Sequence, residues 1–120
     1  MNHKDLNVWK ESMLLVKKVY LLLATFPQSE QFGLCSQMRR AAVSIPSNIA
    51  EGCGRNSNKE AIHFCDISQG SLAELETQLL ISADLEYIKS DNDIFNQITT
   101  VRKLLSGFIN HLQQRNNDNA

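Results

Sequence analysis

Ile94, Ile98, Val101, Leu105, Phe108 and Leu112 recur at steps of four, three, four, three and four. This heptad seam is the strongest constraint in the chain. It suits a helix that lies lengthwise against other helices, because two apolar positions in every seven keep one stripe turned toward a partner. The seam predicts a helix over about Asn92 to Gln114, followed by a polar tail, residues 115–120, that frays. Only two prolines and five glycines punctuate the 120 residues. So little punctuation argues against an all-β chain and for long helices.

Three further helices follow from the same periodicity. The first runs from about Asn7 to Thr25, with Trp9, Ser12, Val16, Val19, Leu23 and Phe26 on one face. Met13, Leu15, Tyr20 and Leu22 widen its apolar surface beyond one stripe, which suggests burial on two sides. The second begins at Ser29 or Phe32, after Pro27, and ends at Gly52. Its stripe is Leu34, Met38, Ala41, Ile45, Ile49 and Gly52. Ser57 and Glu60 form a capping box for the third, which spans about Asn58 to Glu86. Its stripe is Ala61, Phe64, Ser68, Leu72, Leu75, Leu79 and Ser82. Ser90 to Asp93 repeats the cap pattern before the fourth helix.

Four amphipathic helices with short connections predict an all-α domain spanning residues 1–120. The expected architecture is a left-handed, antiparallel, up-down-up-down four-helix bundle. Antiparallel register places Gly70 and Gly107 at one level, where two glycines would let the third and fourth helices approach closely.

The net charge is −1 and the pI about 6.3, unlike the basic balance of a strong non-specific nucleic-acid binder. The charge is unevenly placed. Residues 1–60 carry eight Lys/Arg and five Asp/Glu, whereas residues 61–120 carry four and eight. Cys35, Cys53 and Cys65 are odd in number and lack metal-type spacing, so they are expected as reduced thiols in small core positions. MNHKDLNVWK opens the chain without an apolar core. No apolar run approaches the roughly 20 residues that cross a bilayer. A cytoplasmic protein with no membrane partner is expected.

The segment QMRRAAVSIPSNIAEGCGRNSNKE, residues 37–60, sets a proline inside a helix-forming run. Pro46 has no N–H to offer the Ala42 carbonyl, and its ring crowds that carbonyl, at an isolated cost of roughly 3 kcal/mol. Apolar spacing persists on both sides, so the helix is expected to continue through a kink. Two readings stand. In the structural one, Ser44, Ser47 and Asn48 bond nearby backbone groups, and Glu51 and Arg55 form an i,i+4 pair. Glu74 then neutralises Arg40 or Arg39. In the functional one, Arg39, Arg40, Arg55 and Lys59 present cations to RNA or DNA phosphates, with Ser and Asn as positioning donors.

Catalytic constellations are lacking. His63 and Cys65 lie two apart and point to different helix faces, so no metal site is expected. Cys53 with His63 as its base matches no nucleophile motif. GCGRNSNKE lacks Walker spacing, and Glu74 and Glu76 cannot share a helix face. A non-enzyme without cofactor or metal is expected.

LNVWKESMLLVKKVYLL, FPQSEQFGLCSQMRRAAVSIPSNIAEGCGR and KEAIHFCDISQGSLAELETQLLISADLEYI resemble the bacterial four-helix-bundle family of 23S rRNA intervening-sequence proteins. The RRAAVSIPSNIAEG block, holding Pro46, Ser47, Asn48, Glu51 and Gly52, carries most of the likeness. The resemblance implies a bundle that assembles into a homopentamer. It also implies a fold shared with the accessory variability protein of diversity-generating retroelements, which binds nucleic acid and a reverse transcriptase through a basic pentamer. This chain departs from that relative in being slightly acidic. An oligomer that binds RNA or DNA is therefore weighed against an oligomeric scaffold that binds a protein partner. In either case the interface is expected on helix one and on residues such as Phe95 or Leu104.

Overall fold

The computed structural model describes residues 1–118. Four helices make up the fold: α1 Asn7–Leu23, α2 Leu34–Cys53, α3 Asn58–Asp84 and α4 Ile94–Asp118. Short 3-10 turns at His3–Asp5 and Gln28–Glu30 precede α1 and α2. The all-α expectation holds. Each helix packs on its neighbours in order, α1 on α2, α2 on α3, α3 on α4 and α4 on α1, and the diagonal pairs stand farther apart. Cross-helix contacts run in opposite senses. Ile45 and Gln37 of α2 meet Ser68 and Gln78 of α3, and Glu11 and Lys18 of α1 meet Gln97 and Asp93 of α4. The helices thus alternate in direction within a body of 51 × 24 × 20 Å. No described helix is long and apolar enough to cross a membrane.

The core is a single column. Leu15, Val19, Leu23, Met38, Ile45, Ile49, Leu75, Leu79, Ile98, Val101 and Leu105 are fully enclosed within it. The heptad seam of α4 is buried as expected up to Leu105. Then Ile109 takes the inward place and Phe108 is only half-buried against the core. The larger ring sits at the flank, where it has room. Similar one-residue shifts, a little over a quarter turn, put Val8 and Leu15 inside in place of Trp9 and Val16. They also put Cys35 inside in place of Leu34 and Cys65 in place of Phe64. In three of these pairs the smaller residue takes the axis and the bulkier one covers it from the side; at Leu15 and Val16 the larger residue goes inside.

Helix ends differ from the sequence expectation where turn chemistry decides. α2 starts at Leu34 because Pro27 opens a 3-10 turn, Gln28–Glu30, and Gly33 supplies the bend. Ser57 caps α3 as expected, accepting the Glu60 amide at 3.1 Å. α4 is capped by Asn92, which accepts the Ile94 amide at 2.9 Å, instead of by Ser90. The tail expected to leave the helix at Gln114 stays helical to Asp118, since no glycine or proline interrupts its backbone bonding; residues 119–120 lie outside the described residues. At the exit of α3, Glu86 takes a left-handed conformation with φ 64°. The Tyr87 amide donates back to the Ser82 carbonyl at 2.9 Å, which closes the helix.

The expected approach of α3 and α4 at Gly70 and Gly107 is not made. Both glycines face solvent, and a Cβ at either would meet nothing within 4 Å. They share a level but lie two residues from the inward positions Ser68, Leu72, Leu105 and Ile109, on the outer side. The close approach is at Gly52 instead. A Cβ there would lie 3.0 Å from the Ala61 carbonyl oxygen and 3.2 Å from the Phe64 Cβ.

Candidate functional site

α2 passes unbroken through Pro46, whose ring is buried. Three consecutive carbonyls before it each accept a side-chain hydroxyl or amide. Ser47 Oγ donates to Val43 at 2.7 Å, Asn48 Nδ2 to Ser44 at 2.9 Å, and Ser68 Oγ to Ile45 at 2.8 Å. The first two donors come from α2 itself and the third from α3. The Ser44 and Ser71 hydroxyls, 2.8 Å apart, tie the same stretch to α3. The polar residues around the proline therefore add donors to the three carbonyls that follow Ala42, the one Pro46 cannot serve. Ser47 and Asn48 are occupied in this way. Ser68 was legible only as an inward residue of α3, because its donor role depends on the register of two helices.

The four candidate cations fall into two separate places. Arg39 and Arg40 line an open groove between α1 and α2 with Tyr20, Ser36, Val43 and Ser44. Arg55 and Lys59 line another, with Ile62, His63 and Phe64. Fifteen residues of helical rise set Arg40 and Arg55 roughly 22 Å apart. Arg39 is half-buried and donates to the Gln31 carbonyl at 2.8 Å and to Gln31 Oε1 at 3.3 Å. Arg55 pairs with Glu51 at 2.5 Å and lies over the Phe64 ring, 4.6 Å from its centroid. The i,i+4 pair is thus present, and a cation–π contact is added to it. Arg40 and Lys59 are exposed and have no hydrogen-bond or ion-pair partner among the described residues.

Glu74 does not neutralise either arginine. It shares a polar cleft with Arg40, Gln37, Ser44 and Ser71, but its carboxylate accepts from Gln78 Nε2 at 3.2 Å. Arg39 turns the other way, toward the α1–α2 loop. Glu76 points to α4, where it pairs with Arg102 at 2.5 Å, so the two glutamates occupy different faces.

All three cysteines are free; Cys35 and Cys65 are buried and Cys53 half-buried. Burial pushes the Cys65 thiol up to about 12, with Cys53 and Asp66 adding to the effect. Burial also raises Cys35 and Cys53. These shifts are opposite to those of an activated nucleophile. His63 is exposed and stacks edge-on against Phe64, while Cys65 faces the core. Among the described residues, no three His, Cys, Asp or Glu side chains are grouped to hold a metal ion.

No curated protein matches the chain. The family model described as 23S rRNA-intervening sequence protein matches residues 4–107. That span takes in α1, α2, α3 and the first half of α4, with the proline-bearing segment near its centre. The chain belongs to the 23S rRNA-intervening sequence protein family.

Proposed function

We propose that the chain is a non-enzymatic scaffold that assembles with copies of itself. The exposed apolar residues carry this reading. Leu21 is 64% exposed, Leu80 53%, Leu85 51% and Tyr20 47%, with Met13, Leu14 and Ile81 also open. Large apolar side chains left open in this way are what contact with another copy would cover. Phe95 and Leu104 pack partly on the core; most of the open apolar side chains lie on α1 and α3, with Phe32 of the α1–α2 connection and Val43 of α2 also exposed. The family resemblance favours five subunits. The three free thiols suit a reducing, cytoplasmic setting. Sedimentation velocity at micromolar concentration tests the reading. An assembly of defined size is expected, and a monomer would overturn it.

A second reading, binding of RNA or DNA, is favoured by one observation: Arg40 and Lys59 face open grooves without partners. Arg39 and Arg55 flank them, each already engaged. A titration of labelled structured RNA and duplex DNA at several salt concentrations decides it. Affinity that falls steeply with salt is the expected signature; no binding at low salt leaves a scaffold for a protein partner.

A further inference from the structure

Two helices carry a second, outward seam at heptad spacing. On α1 it is Lys10, Leu14, Lys17 and Leu21, at steps of four, three and four, all exposed. On α3 it is Asp66, Gly70, Ala73, Thr77, Leu80 and Asp84, at steps of four, three, four, three and four, again all exposed. Nothing in the bundle covers either one.

We propose that the outward seam of α1 docks on the outward seam of α3 in a second copy of this chain. The proposal rests on the self-assembly reading and specifies its interface. Charge is the first reason. α1 holds three lysines against one acid, and α3 holds five acids against one lysine. An α1–α1 contact would set lysine against lysine, and an α3–α3 contact would set carboxylate against carboxylate. Only the unlike pairing is complementary.

Shape is the second reason. The α1 seam offers large side chains, and the α3 seam offers small ones at Gly70 and Ala73, where a leucine can reach the helix surface. Gly70 is costly in mid-helix, about 1 kcal/mol against Ala, and no neighbour within the subunit accounts for it. A helix laid across it from another copy does. The matching heptad steps suit the shallow crossing of about 20° found in bundles.

Position is the third reason. α1 and α3 are diagonal in the bundle and both seams are exposed, so the two look away from each other. One copy can then receive a neighbour on each side. The contact is head-to-tail, and the chain of contacts closes into a ring when the rotation permits.

The test uses the full chain with Leu21→Glu on α1 and Leu80→Lys on α3, measured by light scattering alone and mixed. Wild type should assemble, and each variant alone should be monomeric with native helicity. An equimolar mixture should associate again, to at least heterodimers, since one intact α1 seam and one intact α3 seam remain between the two chains and the two substituted seams carry opposite charges. If Leu80→Lys assembles like wild type, or the mixture stays monomeric, the seam pairing is wrong while self-assembly stands. A monomeric wild type overturns both. Should either substitution lower helicity, the charge-only pair Lys17→Glu and Asp84→Lys is read in the same way.

Discussion

Arg39 donates to the backbone carbonyl of Gln31 at 2.8 Å, and Gln31 in turn donates through Nε2 to the Leu23 carbonyl at 3.0 Å. The pair fastens the start of α2 to the end of α1. Arg39→Ala should lower stability by about 1 kcal/mol, because a charge-assisted bond is lost and its part-buried acceptor, the Gln31 carbonyl, is left without it. Arg40→Ala should stay within about 0.5 kcal/mol of wild type, as exposed substitutions do. Urea denaturation of both variants checks the contrast. Equal effects would mean that the two adjacent arginines are not divided between structure and surface.

Gly52 and Gly107 should respond to alanine with opposite signs. At Gly52 the new methyl group meets Ala61 and Phe64 at 3.0 and 3.2 Å, and overpacking of this kind costs about 1–3 kcal/mol. At Gly107 it enters open space, and the gain in helix propensity is about 1 kcal/mol. Denaturation midpoints at unchanged m-value measure both.

Glu86 holds a left-handed backbone, φ 64°, that glycine adopts without steric cost. Glu86→Gly should raise stability by about 0.5–1 kcal/mol. Thermal unfolding reads the change. A loss would indicate that the Glu86 side chain makes a contribution larger than the backbone strain.

All three thiols have raised pKa values, Cys65 to about 12 from an ordinary 9.0. The folded chain therefore holds these protons more tightly than the unfolded chain. The stability this contributes is full below pH 9 and is lost as pH rises toward about 12, where the unfolded state binds fewer protons. Alkylation at pH 8 followed by mass spectrometry should label half-buried Cys53 first. Cys35 and Cys65 should react only on unfolding.

Much of the fold could be read from periodicity alone. The inward stripe of α4, the Ser57–Glu60 cap and the passage of α2 through Pro46 all follow from local spacing. What escaped was rotational. A stripe defines an axis to within about one residue, a little over a quarter turn, and packing then chose Ile109 over Phe108 and Cys65 over Phe64 according to bulk. Gly70 and Gly107 show the same limit. Register placed them at one level, but only the rotation of each helix puts them on the outside. The candidate site was legible as chemistry and not as partnership. Arg55 and Glu51 are near in sequence and were paired correctly, whereas Arg39 finds Gln31 through a loop whose path no local rule fixes.

The division of donors around Pro46 also sets an order in time. Ser47 and Asn48 can serve Val43 and Ser44 as soon as α2 coils, but Ile45 must wait for Ser68, which arrives only when α3 folds back. α2 thus lacks one of the three added donors as a lone helix, and the α2–α3 hairpin is the smallest unit that holds all three. Hairpins of neighbouring helices form early because little chain must be closed between them. Ser68→Ala should therefore slow folding more than it speeds unfolding, giving a high φ-value. The same deletion at Ser12, which donates to Val8 within α1 at 2.6 Å, should act mainly on the unfolding rate.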